Sequence, residues 1–231
     1  PVRAAPATRA PSPTRLAVAP PSTFRVPCWG QSGAVWQHAA CPEADFAAPA
    51  GRKVAAPSTP GDAYWLLRAA LADDDPVVCF EPQARYYLKA EVDPAARIPI
   101  GKACVRQAGT AVTVIGYGPT VQTALQAAKA AAEDGTSVEV IDLRSLSPPD
   151  MDAVMTSVTK THRAVIVHEA PVFCGFGAEI AARISHDAFD LLEAPVQRVA
   201  GPTVPYPHPA SAKLYLPAYY RILLATTAAI V

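Results

Sequence analysis

The chain has 231 residues, of which 51% are apolar and only 17% charged, with 20 Lys+Arg balancing 20 Asp+Glu. This is enough apolar material for one large domain or two modest ones, and the charge balance removes the electrostatic basis for a nucleic-acid or anionic-membrane partner. No apolar run reaches the length of a membrane span, no charged start leads into an apolar signal core, and the opening Pro in place of Met suggests that a preceding segment exists.

Residues 1–23 hold six Pro, six Ala and three Arg without an acid, and show no apolar period; they read as irregular or disordered. A short Thr23-Phe24-Arg25-Val26 stretch follows, then a loop with Gly30 and Gly33, then Lys53-Val54-Ala55-Ala56. Ser58-Thr59-Pro60-Gly61-Asp62 is a helix start, with a hydroxyl cap, Pro at the first helical position and an acid behind it. The helix is expected to run to about Ala72. Asp73-Asp74-Asp75-Pro76 ends it, and Val77-Val78-Cys79-Phe80 reads as a buried strand. Residues 82–100, rich in Tyr, Pro and charge, look like a linker between two folding units.

From residue 101 onward the pattern is regular. Apolar strands are predicted at 111–118, 138–143, 164–168 and 196–199. Helices are predicted from Pro119 to Glu133, from Pro148 to about Thr159, from Gly175 to about Leu192 and from Pro217 to Ile230. Alternating strands and helices with nearly all-apolar strands mean a largely parallel sheet covered on both faces. The alanine-rich helix Thr120–Glu133 suits either a subunit contact or ordinary packing on the sheet. The five cysteines (Cys28, Cys41, Cys79, Cys104, Cys174) have neither zinc-ligand nor Cys-x-x-Cys spacing, and read as free thiols in a reducing cytoplasm.

Several long motifs carry a family resemblance. Val138-Glu-Val-Ile-Asp-Leu-Arg-Ser-Leu-Ser-Pro-Pro-Asp150, His168-Glu-Ala-Pro171 and Gly175-Phe-Gly-Ala-Glu-Ile180 resemble the transketolase C-terminal domain, and more narrowly the beta subunit of the thiamine-dependent 2-oxo acid dehydrogenases. Glu193-Ala-Pro-Val-Gln-Arg-Val199, Pro205-Tyr-Pro207 and Tyr215-Leu-Pro217 follow in that family's order. Upstream, Phe80-Glu-Pro82 with Tyr86 and Glu91-Val-Asp93 resembles the segment joining the family's two beta-subunit domains. His38-Ala-Ala-Cys-Pro-Glu-Ala44 is similar to its His-Ser-Gln-Ser-Pro-Glu-Ala, and Arg25-Val-Pro27 to its Arg-Met-Pro. The glycine-rich loop is reduced to Cys28-Trp-Gly-Gln-Ser-Gly-Ala-Val-Trp36, Ala39-Ala40 replaces Ser-Gln, and upstream of Phe24 the match stops. The fold implied is α/β: a three-layer α/β/α transketolase C-terminal-like domain over 101–231, a remnant of a pyrimidine-binding domain over 24–81, and the linker between them.

What the resemblance implies is oxidative decarboxylation of a 2-oxo acid and acyl transfer to a lipoyl arm, with thiamine diphosphate supplying the carbanion chemistry. The cofactor is shared with an alpha subunit that holds its diphosphate and magnesium. The glutamate that activates the thiamine ring belongs to the part this chain does not match, so no cofactor-binding residue is assigned here, and the chain alone is expected to be inactive. His38 carries over as the catalytic residue, an imidazole suited to protonating a departing dithiolane sulfur; a surface-loop histidine is the alternative. The family also has a monovalent-cation site in the loop after the first helix, which maps potassium onto Ala70, Asp73 and Asp75; a solvated helix end is the alternative. His168 lies at a strand end, where sheet ligands often sit, but in a domain that does not bind the cofactor in this family. His162, His186 and His208 read as local hydrogen-bond partners, and Phe176-Gly177-Ala178 as a tight turn with close helix–strand packing. The implied partners are the alpha subunit, a lipoyl acyltransferase core and a second beta chain in a heterotetramer. His168-Glu-Ala-Pro-Val-Phe173 and Tyr86-Tyr-Leu-Lys-Ala-Glu-Val-Asp93 favour the branched-chain class (3-methyl-2-oxobutanoate) over pyruvate. A non-catalytic assembly module is the rival reading, and the order of motifs argues against a 1-deoxyxylulose-5-phosphate synthase.

Overall fold

The computed structural model describes residues 21–28 and 41–230. In chain order these form β1 (Thr23–Cys28), α1 (Glu43–Ala47), β2 (Lys53–Ala55), α2 (Pro60–Leu71), β3 (Val77–Pro82), β4 (Cys104–Gln107), β5 (Val112–Gly116) and α3 (Thr120–Glu133). They continue with β6 (Val138–Asp142), β7 (Ser145–Ser147), α4 (Met151–Thr161), β8 (Ala164–Pro171), α5 (Phe176–Asp187), β9 (Gln197–Gly201), α6 (Ala212–Tyr215) and α7 (Tyr219–Ile230). Among the described residues no helix is long and apolar enough to cross a membrane.

The C-terminal sheet has the order β4-β6-β5-β8-β9. β6, β5, β8 and β9 run parallel, and β4 closes one edge antiparallel to β6. Alternation along each buried strand feeds two cores. Val112, Val114, Val138, Val140, Val165 and Val167 face α3 and α7. Ile115, Ile141 and Ile166 face α4 and α5 through Val154, Val158, Ile180 and Ile184. The result is the three-layer α/β/α arrangement expected from the sequence. The alanines at 124, 127, 128 and 131 are buried inside this packing against Ile222 and Ala229, so the small side chains bring α3 close to α7 within one chain.

The N-terminal sheet has the order β1-β3-β2-β7, with β1, β3 and β2 parallel. Its fourth strand comes from the C-terminal half: Ser145–Ser147 lies antiparallel to β2. The same polar segment, too short to signal a strand in the sequence, therefore joins the two units. Helix α2 starts as predicted. Thr59 is extended, its Oγ1 accepts the Asp62 N–H at 3.1 Å, and Pro60 occupies the first turn. The core follows the shared strand: Cys28, Val54, Val78 and Phe80 pack in one cluster with Ile115, Tyr117, Leu143, Leu146 and Phe176.

Some expected boundaries move for local reasons. α4 continues to Thr161 because His162 takes a left-handed conformation (φ 58°) and closes the last turn onto the Val158 carbonyl. α5 ends at Asp187 rather than near Leu192. Ala188 leaves helical geometry (φ −118°, ψ 19°), and a separate 3-10 turn spans Phe189–Leu191. Segment 82–100 has one 3-10 turn (Gln83–Arg85) and is strapped onto α2: Trp65 Nε1 donates to the Asp93 carbonyl at 3.1 Å, and Ile98 and Ile100 pack beside Leu66. Of the stretch read as irregular, residues 1–20 lie outside the described residues, and Thr23 already belongs to β1.

Candidate functional site

Where the two units meet, polar side chains from both sink into the apolar seam. Glu43, the first residue of α1, is fully buried, and Tyr117 Oη donates to its Oε1 at 2.8 Å. Its Oε2 has no hydrogen-bond partner among the described residues. Tyr117 lies just past the C-terminal end of β5. Phe176 meets its ring edge-on at 6.0 Å, and the His168 imidazole stacks parallel to it at 6.2 Å. His168 projects from β8, is fully buried, and has neither ring nitrogen hydrogen-bonded among the described residues. Two glycines of the following turn make room for it: a Cβ at Gly177 would lie 2.6 Å from His168 Cδ2 and Nε2, and one at Gly175 2.5 Å from Cε1. The turn Phe176-Gly177-Ala178 therefore serves close packing, as its sequence suggested.

Burial sets the charge states. It pushes the Glu43 carboxyl up to about 7, against the pull of the Glu43 backbone and the Tyr117 hydroxyl. The His168 imidazole is driven the other way, down to about 4, again chiefly by burial; the Ala170 backbone opposes this without a well-aligned hydrogen bond, and Arg198 adds to the fall. Burial, Glu43 and Glu169 together push the Cys28 thiol up, so it stays a thiol. Near neutrality the seam thus holds a neutral imidazole, a phenol and a carboxyl poised between its two forms.

A second polar cluster ties the units by charge. Arg106 of β4 reaches Asp142 of β6 (Nη2 to Oδ2, 2.7 Å) and also contacts Asp62 of α2. Arg144 Nε lies 2.8 Å from Asp62 Oδ1, and the Ser58 hydroxyl donates to Asp142. Burial holds Asp142 above the ordinary range even though Arg106 and Ser58 draw it down. Two arginines facing two aspartates leave the cluster balanced and closed.

His38, the sequence's catalytic candidate, lies outside the described residues. Ala70, Asp73 and Asp75 are brought together, but the charge at their centre is Lys53. Its Nζ donates to both Asp73 carboxylate oxygens at 2.8 and 2.7 Å and stands 3.3 Å from Asp75, while the Ala70 carbonyl accepts the Thr23 hydroxyl at 3.1 Å. These residues do not fit a potassium ion while Lys53 holds that place. Among the other histidines, His162 Nδ1 bonds the Leu191 carbonyl at 3.0 Å, His186 pairs with Asp187 at 2.8 Å on the surface, and His208 Nδ1 accepts the Ala210 N–H at 3.4 Å. Glu43 and Tyr117 are the site residues that sequence reasoning missed. The available signal was an acid opening a short apolar helix directly after the His38 segment.

The described residues do not form a cradle for thiamine diphosphate and magnesium. Their acid clusters are matched internally: Asp62 and Asp142 by arginines, Asp73 and Asp75 by Lys53, and Glu139 by Lys160. No trio of His, Cys, Asp and Glu among them is placed to hold a metal ion. A cavity of about 330 Å³ opens between α2 and β3, with Arg25, Glu81, Arg85 and Tyr86 at its polar side; there Tyr86 Oη donates to Glu81 Oε2 at 2.8 Å.

Comparison with known proteins agrees with this architecture. The family model described as transketolase, C-terminal domain, matches residues 101–222. The chain is 47% identical over 208 residues to the pyruvate dehydrogenase E1 component subunit beta of Leifsonia xyli subsp. xyli, covering 90% of this chain and 62% of that protein. It is 48% identical over 212 residues to the 3-methyl-2-oxobutanoate dehydrogenase subunit beta of Mycobacterium tuberculosis, covering 91% of this chain and 61% of the relative. The chain thus spans about three-fifths of the length of these relatives. Among solved structures, a split gene transketolase described as an inactive beta4 tetramer superposes with a TM-score of 0.76 at 22% identity, over 90% of this chain and 66% of that one, which shows the fold. Matched by the family model over more than half its residues, and with strong similarity to E1 beta subunits of 2-oxo acid dehydrogenases, the chain belongs to the transketolase C-terminal domain family.

Proposed function

We propose that this chain serves as a beta subunit, or the larger part of one, in the decarboxylating component of a 2-oxo acid dehydrogenase complex. The observation that carries this reading is the 47–48% identity to two such subunits, sustained over nine-tenths of the chain. Its substrate is a branched-chain 2-oxo acid such as 3-methyl-2-oxobutanoate, a choice resting on the Tyr86–Asp93 and His168–Phe173 segments, and it acts in the cytoplasm, where its five free thiols stay reduced. In this reading thiamine diphosphate, held with magnesium on an alpha subunit, supplies the decarboxylation. This chain adds His38 as a proton donor for acyl transfer to lipoate, a contact with a second beta chain, and a C-terminal domain that docks on the acyltransferase core.

Co-expression with a cognate alpha subunit, with the N-terminal part of the relatives that this chain does not match supplied as well, followed by a decarboxylation assay with an artificial electron acceptor, tests the reading. The expected result is a stable complex with a higher kcat/KM for 3-methyl-2-oxobutanoate than for pyruvate. A stable complex without turnover, once that N-terminal part is supplied, favours an assembly module instead. Failure to form any complex overturns both.

A further inference from the structure

The cavity between α2 and β3 lies across the N-terminal sheet from the seam. Side chains alternate along those strands: Val54, Val78 and Phe80 enter the seam core, while Ala55 and Cys79 pack toward α2 with Leu66. Over Ala55 and Cys79 the helix does not close completely on the sheet. It leaves about 330 Å³, at the small end of the range of about 300–1,000 Å³ in which proteins hold small molecules. Leu66 and Leu67 complete the apolar walls, and the exposed Tyr64 and Leu88 also line the space. Ser58 and Thr59 border it too, but their hydroxyls are directed to Asp142 and Asp62.

The polar side of this cavity carries an unmatched cation. Glu81 is the one carboxylate among the described residues that line it, and its partners are already in place. Arg25 donates to it through Nε and, at 3.1 Å, through Nη2, and Tyr86 Oη adds a third hydrogen bond at 2.8 Å. Arg85 sits on the 3-10 turn that follows β3. Its Nε is buried and finds no acceptor among the described residues. A buried N–H without an acceptor costs folding free energy, and a guanidinium cannot escape that cost by losing its proton. Two guanidinium groups thus face one carboxylate beside an apolar recess.

We propose that this cavity is a binding site for a small monocarboxylate with a branched or aromatic apolar body, the carboxylate on Arg85 and the body against Ala55, Leu66 and Cys79. The planar guanidinium matches a carboxylate because two of its N–H groups can meet both oxygens. One negative charge neutralises the lining, whereas a phosphate dianion overshoots it. The volume restricts the body to a short branched chain or a single ring. The inference is independent of the function proposed above, since it uses only described residues of this chain and assigns no step of a reaction.

Calorimetric titration of the full chain tests it. Isovalerate and phenylacetate should bind one to one with a Kd of about 1 mM or tighter. Isoamyl alcohol, which keeps the body without the charge, and acetate, which keeps the charge without the body, should bind at least about 10-fold more weakly. Arg85→Met should weaken both carboxylates by about 10-fold or more and leave the Tm at or above that of the parent, because it removes an unpartnered buried N–H. Ala63→Trp places an indole at the cavity from an exposed position of α2 and should abolish binding with Arg85 intact. Absence of binding by either carboxylate overturns the proposal. Equal binding by Arg85→Met overturns it as well, leaving an apolar recess, and inorganic phosphate that competes as strongly as isovalerate overturns the carboxylate class. Where the chain assembles with an alpha subunit and the N-terminal part of its relatives, isovalerate should still bind; loss of binding there makes the cavity a seat for those chains and overturns the proposal. Where no such assembly forms, the titration of the chain alone decides.

Discussion

Replacing either Glu43 or His168 should expose a pH dependence of stability that the parent chain hides. The folded chain raises the Glu43 carboxyl from 4.5 to about 7, so between those values it holds a proton that the unfolded chain has released; stability from this group therefore falls as pH rises through the window. His168 is lowered from 6.5 to about 4, so between those values the unfolded chain binds a proton that the folded chain refuses, and stability rises with pH. At about 1.36 kcal/mol per pH unit each group is worth about 3 kcal/mol across its window. Both side chains are fully buried, so solvent screening takes little from these figures. The windows overlap from 4.5 to 6.5, where the two slopes have opposite sign and cancel. Glu43→Gln removes the carboxyl's slope: relative to the parent, its Tm climbs as pH rises from about 4.5 to 7. His168→Phe, whose ring suits the glycine-walled slot, removes the imidazole's slope, with a relative Tm that falls from about pH 4 to 6.5. For a chain of this size about 3 kcal/mol corresponds to about 6–12 °C. Circular-dichroism melts at constant ionic strength from pH 4 to 8 measure both differences, and groups such as Glu139 and Asp142 drop out because they are common to all three proteins. Variant curves that run parallel to the parent would refute the assignment of the two groups as neutral partners.

Asp62→Ala removes the carboxylate shared by Arg106 and Arg144 and leaves both guanidinium groups short of charge at the seam; urea denaturation should show a loss of about 3–5 kcal/mol. Gly177→Ala should cost about 1–3 kcal/mol by driving a methyl into His168, and His168→Ala should recover much of it in the double variant. Gly175→Ala, whose Cβ would lie 2.4 Å from the Pro171 carbonyl, should not be recovered, and thermal melts of the four proteins separate the two cases. Exchanging sodium for potassium should leave the Tm of the parent within about 1 °C, since Lys53 holds Asp73 and Asp75. Lys53→Met, which frees the Asp73 and Asp75 carboxylates, should gain a Tm that rises when potassium replaces sodium.

The main C-terminal layers were legible because β5, β6, β8 and β9 are short apolar runs set between glycine or proline stops and 3.6-period helices, so one rule answers those four strands and the helices packed on them. The cap at Thr59-Pro60 was readable for the same reason: its chemistry is local. What escaped the sequence depends on distant partners. Ser145-Leu146-Ser147 has no strand signature and becomes one only because β2 offers an edge. Glu43 reads as an ordinary helix-opening acid, and its burial is decided 74 positions away by Tyr117. Asp73 and Asp75 were read as a helix end or a cation loop; nothing in their own neighbourhood announces Lys53, 20 residues earlier. His168 was visible as a strand-end histidine, but its isolation follows from two glycines whose close approach appears only once the turn is folded.

These long-range ties bear on how the chain should be divided. The family match starts at residue 101, and the sequence suggests a linker before it, yet a fragment cut there would not keep the structure described. Leu146 and Phe176 would lose the cover of Val54, Phe80 and Phe46; Tyr117 would lose Glu43; β7 would have no strand to pair with. Arg106 and Asp142 would keep each other but leave Arg144 without Asp62. Removing residues 41–82 therefore exposes a large apolar face and opens two buried polar clusters at once, a loss that a domain with the usual margin of about 5–15 kcal/mol does not absorb. The segment that looks like a remnant in the sequence is structurally the other half of the seam, and the packing of the C-terminal domain depends on it whether or not His38 turns over substrate.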